Sequence, residues 1–265
     1  MDILDDKIIK DKEIKIIDFP PMPVEGDYIV CYIDVLGSKD LISKGEFFET
    51  LYDAFSFALN IESKLKIFGD LTFKVFSDNI LIAHKIPNDN IYGWYVAYKN
   101  IVDFLKSFLF RFLCSGILIR GGITIGKLAI NEVMVWGSGL VEAVKLEENN
   151  AVYPKIIISN KLAEILYGHP LKQNEFFDEK FSCFSDTDGS LFVDYIHYSE
   201  MPTAETSLRY SYEITCQKIK FEKDQKILQK LHWHLNYLER AKEIFNEYYG
   251  DFNRLEWENN EDDEG

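Results

Sequence analysis

The pattern of apolar and polar positions along this chain spells out an order of strands and helices. Residues 28–37, YIVCYIDVLG, form a continuous apolar, β-branched and aromatic run that ends in glycine, as a buried strand does. From Lys39 to Phe68 apolar residues recur at helical spacing, Leu51, Phe55, Ala58, Leu59 and Ile61 among them, and Gly69 supplies a stop. Residues 71–84, LTFKVFSDNILIAH, read as two short strands joined at Ser-Asp-Asn, a hairpin with turn-forming residues at its tip. A second long apolar helix is expected over 91–114. Residues 117–130, ILIRGGITIGKLAI, read as a strand interrupted by glycines, followed by a turn. VMVWGSG then leads into a helix from about Leu140 to Glu148, KIIIS (155–159) is a strand, and Lys161 to Tyr167 a short helix.

The order through residue 167 is therefore roughly β-α-β-β-α-β-(β)-α-β-α, which predicts an α+β fold with a ferredoxin-like core and additions. A further strand is expected at Ser190 to Tyr195, and two helices over 204–249. Leu228, Leu231, Leu235 and Leu238 share one face of the second, which would pack on the core or against a partner chain. The chain divides into a charged N-terminal arm (1–26), a core domain (27–200), a C-terminal helical extension (201–255) and an acidic tail (256–265).

Composition narrows the function classes. The chain has 265 residues, 47% of them hydrophobic, enough for a substantial core. The net charge of −15 and the lack of a basic patch argue against nucleic-acid binding by counterion release. The four cysteines, Cys31, Cys114, Cys183 and Cys216, lack metal-ligand spacing and suggest no disulfide framework. MDILDDKIIKDKEIK has no apolar central run, so it does not read as a signal peptide, and no apolar stretch is long enough to span a bilayer. A reduced, cytoplasmic protein is the expectation. An anionic substrate of so acidic a chain needs local compensation, for which metal ions are the obvious source.

Two carboxylates stand out. Asp34 interrupts an otherwise apolar strand, and a buried carboxylate is normally paired or bound to metal. It could equally cap the turn at Gly37. Asp78 sits at the hairpin apex, where Ser-Asp-Asn is also ordinary turn chemistry. A βαββ unit can bring the end of its first strand beside the tip of the following hairpin. Two carboxylates there could hold two Mg²⁺ or Mn²⁺ ions, with the backbone carbonyl of Val35 as an extra ligand and the remaining positions left to water and phosphate. Two such ions can clamp the attacking and leaving oxygens of an in-line displacement.

CYIDVLG, FKVFSDNILIA, RGGITIG and VWGSGLVEAVKLE, in that order and spacing, resemble the class III nucleotidyl cyclase domain over about residues 28–160. YIDVLG, RGGITIGKL, GSGLVEAVKLEENNAVYPKIIIS, LFVDYI and LHWHLNYL resemble more closely the pyrimidine cyclases of bacterial Pycsar antiphage systems, to about residue 240. The resemblance implies conversion of UTP or CTP to a 3′,5′-cyclic nucleotide that activates a partner effector during phage infection. It makes 27–200 the catalytic domain, Asp34 and Asp78 the metal ligands, and a homodimer with sites at its interface the working unit. It also implies that Lys74 reads the base and that Lys145 stands where an arginine stabilises the transition state.

Lysine supplies that charge without the bidentate fork of arginine. Val141 stands where the family has a nucleotide-positioning asparagine, and Met134 where adenylate cyclases have an adenine-reading aspartate. Met134 accepts hydrogen bonds too weakly to reward an adenine amine, which favours a pyrimidine. Val35 and Leu36, next to Asp34, complete the expected nucleotide contacts with Lys74 and Met134. Arg120 reads either as a group beside the phosphates or as a strand charge beside a glycine bulge. The departures at Val141 and Lys145 also admit a non-catalytic nucleotide sensor. His232 and His234, two apart on a helix, make a poor metal pair.

Overall fold

The computed structural model describes residues 20–65, 71–87, 91–167, 177–178, 182–196 and 201–249. The first strand, β1 (Gly26–Val35), lies in the middle of the sheet, with antiparallel neighbours on both edges. Two helices follow, α1 (Ser38–Lys44) and α2 (Glu46–Leu65), then the hairpin β2 (Leu71–Phe76) and β3 (Asn79–Lys85), α3 (Ile91–Cys114) and β4 (Ile119–Ile130). The sheet order β2-β3-β1-β4, antiparallel throughout, is the ferredoxin-like arrangement. A short β5 (Val135–Trp136) folds back on β4, and α4 (Ser138–Asn150) follows it. Then β6 (Ile156–Ile158) pairs parallel with β4, and α5 (Asn160–Tyr167) leads to the short strands β7 (Phe177–Asp178), β8 (Cys183–Ser185) and β9 (Leu191–Val193). These extend the sheet beyond β6 in the order β9-β8-β7. The fold is α+β, with a central, mainly antiparallel sheet covered by helices.

β1 is apolar or aromatic from Tyr28 to Ile33 because both faces of the sheet are covered there. On one face α2 and α3 pack through an aromatic layer in which Phe55, Phe73, Phe104 and Phe108 meet at 4.6–6.2 Å between ring centroids. On the other face α4 lies against Tyr28, Val30, Leu81, Ala83 and Leu128 through Ala143. It comes close because β4 offers glycines there. A Cβ at Gly122 would stand 2.6 Å from the Ala143 carbonyl oxygen, and one at Gly126 would stand 2.5 Å from the Cα of Gly139.

That close approach corrects the reading of Gly121 and Gly122 as an interruption or bulge. β4 runs unbroken, with Gly121 opposite Ile33 and Gly122 opposite Tyr32. The helix expected from Lys39 is also two helices, because Gly45 takes a left-handed conformation (φ 76°) and ends α1. Gly69 lies outside the described residues, as do residues 1–19 of the arm and the whole acidic tail.

The C-terminal helices α6 (Met201–Phe221) and α7 (Gln225–Tyr249) form a hairpin in which Asp224 caps α7 by accepting from the backbone N–H groups of Lys226 and Ile227. α7 docks on the core: Leu238, Ala241 and Phe245 are buried in it, Trp233 Nε1 donates to Asp186, and the Tyr237 hydroxyl donates to Asp194. Lys155, wholly buried, holds the same corner through ion pairs of 2.7 Å to Asp186 and Asp188. Among the described residues no helix is long and apolar enough to cross a membrane.

His234, on the buried face of α7, shares a hydrogen bond with Ser211 and leaves Nδ1 without a partner among the described residues. Burial pushes its pKa down to about 3, and the Lys218 charge adds to the effect. The folded state therefore resists a proton that the unfolded chain takes up near pH 6.5. Stability should fall as the pH drops below that value, by about 1–2 kcal/mol between pH 7 and pH 5 from this residue. Urea unfolding of wild type and His234→Asn at both pH values measures it; an equal pH dependence in the two would contradict the assignment.

Candidate active site

The register of β1 decides what stands together. Asp34 lies opposite Asn79 of β3 on one side and Arg120 of β4 on the other, so Phe76, Asn79, Asp34 and Arg120 form one cross-strand row. Two residues along, Lys74, Leu81, Tyr32 and Gly122 form the next row. Side chains two apart on a strand share a face, so both rows lie on the face that α4 covers.

At the end of the first row the Val35 N–H donates to the Asp78 carbonyl at 3.2 Å. This joins the hairpin tip to the end of β1 and brings Asp78 next to the residue that follows Asp34. Ser77, at the tip, takes a left-handed conformation (φ 61°) to make the turn.

Asp78 is held from the other side as well. The Ser38 hydroxyl, buried at the start of α1, donates to Oδ2 at 2.5 Å, and the Asn79 amide donates to Oδ1 at 3.3 Å. The Ser38 hydrogen bond is the main cause that keeps this carboxyl below its usual pKa, with the Lys39 charge a smaller one; partial burial acts the other way. Asp34 accepts from Arg120 Nε at 2.9 Å on Oδ2; among the described residues its other oxygen takes no hydrogen bond.

Arg120 is shared. Its Nε also lies 2.6 Å from Oε1 of Glu147, a carboxylate that α4 carries on its inner face and whose side chain is only 4% exposed. Burial raises the Glu147 pKa, opposed by Arg120 and reinforced by Asp34 and Glu148. Tyr32 stands on the same face, and its phenol is raised first by burial and then by Glu147, Asp34 and Asp78.

Lys74 lies roughly 12 Å from Asp34 between backbones, from two strand spacings and two residues' rise. Its amine donates to the Glu132 carbonyl at 2.6 Å. That bond draws in the turn of residues 131–134, which is closed by Asn131 N donating to the Met134 carbonyl at 3.0 Å. Lys74 and the turn of Met134 thus stand at one end of the face, and Asp34 and Arg120 at the other, beside the hairpin tip of Asp78; Leu36 follows in the chain, and the Val35 side chain turns away into the layer under α2 and α3. Leu36 continues β1 by donating to the Leu118 carbonyl at 2.9 Å. Lys145 joins neither group: it is exposed on α4, and its side chain makes no hydrogen bond or ion pair among the described residues.

The donor set suits a hard divalent cation. It consists of carboxylate oxygens, and the lowered pKa of Asp78 keeps one of them charged. Among the described residues no three His, Cys, Asp or Glu side chains converge as a closed metal cage. Two carboxylates with positions left for water and phosphate is the arrangement that Mg²⁺ or Mn²⁺ takes at a nucleotide.

No family model matches the chain, and neither does any curated protein. Among solved structures, the monomeric guanylyl cyclase domain of the RhoGC fusion protein from the aquatic fungus Blastocladiella emersonii is 15% identical. The match spans 65% of this chain and 98% of that one, with a TM-score of 0.45. The adenylyl cyclase CyaB from P. aeruginosa is also 15% identical over 65% of this chain and 95% of that one, at 0.43. The guanylate cyclase domain of RhGC from Catenaria anguillulae, solved with GTP, is 15% identical over 64% and 95%, at 0.41. At such identities and scores no residue of this chain takes a role from them.

Ser38, Glu147 and Tyr32 were not singled out by the sequence. Ser38 follows the strand-ending Gly37 directly, and Glu147 stands four and eight residues after Ala143 and Gly139 on one helix face, so helical spacing held the signal for the latter. Ser38→Ala should raise the Asp78 pKa and cost about 1 kcal/mol at pH 7, the hydrogen bond being only partly buried. Because the folded pKa is depressed, the deficit should shrink as the pH falls through it. Urea titrations at pH 7 and in acid, with Asp carboxyl shifts followed by NMR, measure both effects.

Proposed function

We propose that this chain is a nucleotidyl cyclase that converts UTP to 3′,5′-cyclic UMP and pyrophosphate, with Mn²⁺ or Mg²⁺ held by Asp34 and Asp78. The observation that carries the reading is the Val35 N–H to Asp78 carbonyl bond beside the Asp34–Asn79 pair, which sets two carboxylates at the end of one strand. The bound ions would supply Lewis acidity at the ribose 3′-oxygen and the phosphate oxygens. The 3′-oxygen bonds to the α-phosphorus, the bond to the β-phosphate oxygen breaks, and the hydroxyl proton passes to solvent. Arg120 has its Nε committed to Asp34, while its terminal nitrogens, without hydrogen bonds among the described residues, suit phosphate oxygens.

The choice of base rests on Lys74 and Met134, whose proximity supports a single base-reading end. Lys74 donates and does not accept, which matches a carbonyl; uracil has one at both its 2- and 4-positions, cytosine only at the 2-position. At the metal end Val35, its side chain buried in the layer under α2 and α3, would offer its backbone carbonyl, with Leu36 next to it. The role of cyclic UMP as a messenger in antiphage defence, acting through a cyclic-nucleotide-responsive effector, rests on the motif resemblance alone.

A homodimer with shared sites is part of the proposal. Val141 and Lys145 are one turn apart on the exposed side of α4, and Trp136 in β5 is 75% exposed, with Val133 and Met134 exposed in the preceding turn. A second copy over this apolar face would bury it and bring Lys145 to the other chain's phosphates.

Purified protein with equimolar ATP, GTP, CTP and UTP plus Mn²⁺ should yield mainly cyclic UMP by mass spectrometry, and Asp34→Ala or Asp78→Ala should yield none. Dominant cyclic AMP or GMP would overturn the pyrimidine reading, and dominant cyclic CMP only the choice between pyrimidines. Nucleotide binding without any product would favour the sensor that Val141 and Lys145 admit. Mixing Asp34→Ala with Lys145→Ala chains, each inactive alone, should restore part of the activity. Heterodimers that form and stay inactive would dismiss the shared site.

A further inference from the structure

Glu147 is costly where it stands. Its carboxylate is buried between α4 and β4, and Oε1 accepts no hydrogen bond among the described residues although Arg120 Nε is only 2.6 Å away. The two observations are compatible, because Nε carries a single proton and that proton is aimed at Asp34 Oδ2. Glu147 therefore meets the guanidinium as a charge, side-on, while Asp34 takes the bond. A buried carboxylate held this way is seldom there for stability, since an apolar residue of the same size would fill the space at less cost.

What it changes is the charge that Asp34 presents. Alone with Arg120, the Asp34 carboxylate would be a neutral pair and a poor ligand for a cation. With Glu147 on the far side of the guanidinium, the three groups carry one net negative charge. Among the described residues only one of the Asp34 oxygens is hydrogen-bonded, so the other stays available.

We infer that Glu147 is a positioning residue that acts through Arg120, offsetting the guanidinium charge beside Asp34 and so leaving that carboxylate free to attract a divalent cation. The inference rests on the reading of Asp34 as a metal ligand and adds the source of that ligand's affinity. The geometry that achieves it is set by Gly122, whose missing side chain lets α4 come down far enough for Glu147 to reach Arg120.

Mn²⁺ binding to the full chain, read directly from the loss of the free-ion electron paramagnetic resonance signal, tests this without any turnover. Glu147→Gln keeps the shape and removes the charge, and should weaken Mn²⁺ binding about tenfold, since a nearby unit charge acts on a divalent ion. Arg120→Gln should bind Mn²⁺ as tightly as wild type or more tightly. The double variant should return to within about threefold of wild type, because both charges have gone; a merely structural role would leave it as weak as the single variant or weaker.

Wild-type affinity in Glu147→Gln, or no recovery in the double variant, would overturn the inference. Should Glu147→Gln not fold by circular dichroism, Arg120→Gln decides alone, and weaker binding there overturns it. Asp34→Ala separates the two levels: if it binds Mn²⁺ as wild type does, the metal reading itself fails and takes the inference with it. If Asp34→Ala loses binding while Glu147→Gln does not, only the inference fails.

Discussion

A strand paired on both edges has its neighbours dictated along its whole length, and β1 is that strand here. Slipping it by one residue would turn Asp34 into the aromatic layer under α2 and α3 and bring Ile33 to the α4 face. The burial of Ile29, Cys31, Ile33 and Val35 in that layer therefore fixes the register, and the register fixes the chemistry. Asp34 then has Asn79 and Arg120 on either side without any specific attraction being needed to assemble them. The hairpin tip follows for the same reason, since the ladder between β1 and β3 ends where the Val35 N–H meets the Asp78 carbonyl.

The second constraint is the depth at which α4 sits. Gly122 and Gly126 face Ala143 and Gly139, so helix and strand approach backbone to backbone along two turns. This close seam gives α4 one fully buried charged residue, Glu147, beside the half-buried Glu142 that accepts from Thr124, and leaves Val141 and Lys145 on the other side. One short helix thus divides its charges between the inside of its own chain and whatever lies outside it.

Much of this was legible in the sequence where periodicity was long. The buried strand through Asp34, the Ser-Asp-Asn hairpin, the helix over 91–114 and the two C-terminal helices follow from patterns of many residues. β7 and β8, of two and three residues, are too short to carry a period and were not foreseen. Gly121 and Gly122 were misread because their cause is tertiary: the space belongs to the Tyr32 backbone and to α4, neither adjacent in sequence. The buried Lys155 and Glu147 look like solvated charges in one dimension. Only the pairing of Lys155 with Asp186 and Asp188, and of Glu147 with Arg120, accounts for them.

The charge on the α4 face also limits how a nucleotide could arrive. Asp34 and Glu147 share a single guanidinium, and Asp78 at the adjoining hairpin tip has, among the described residues, only the Lys39 charge acting on it, in a chain whose net charge is −15. Such a surface repels a bare triphosphate and attracts divalent cations, and the effect is strongest near the half-buried Asp34, where water screens least. On the proposed reading the nucleotide would therefore be taken up together with its cation, which Asp34 and Asp78 would hold. Arg120 has no reason to leave Asp34 during this uptake: its terminal nitrogens, without hydrogen bonds among the described residues, remain a second set of donors while Nε stays bonded. The arginine then serves the ligand with one edge and the phosphate with the other, which a lysine at the same place, a single point of charge, could not do.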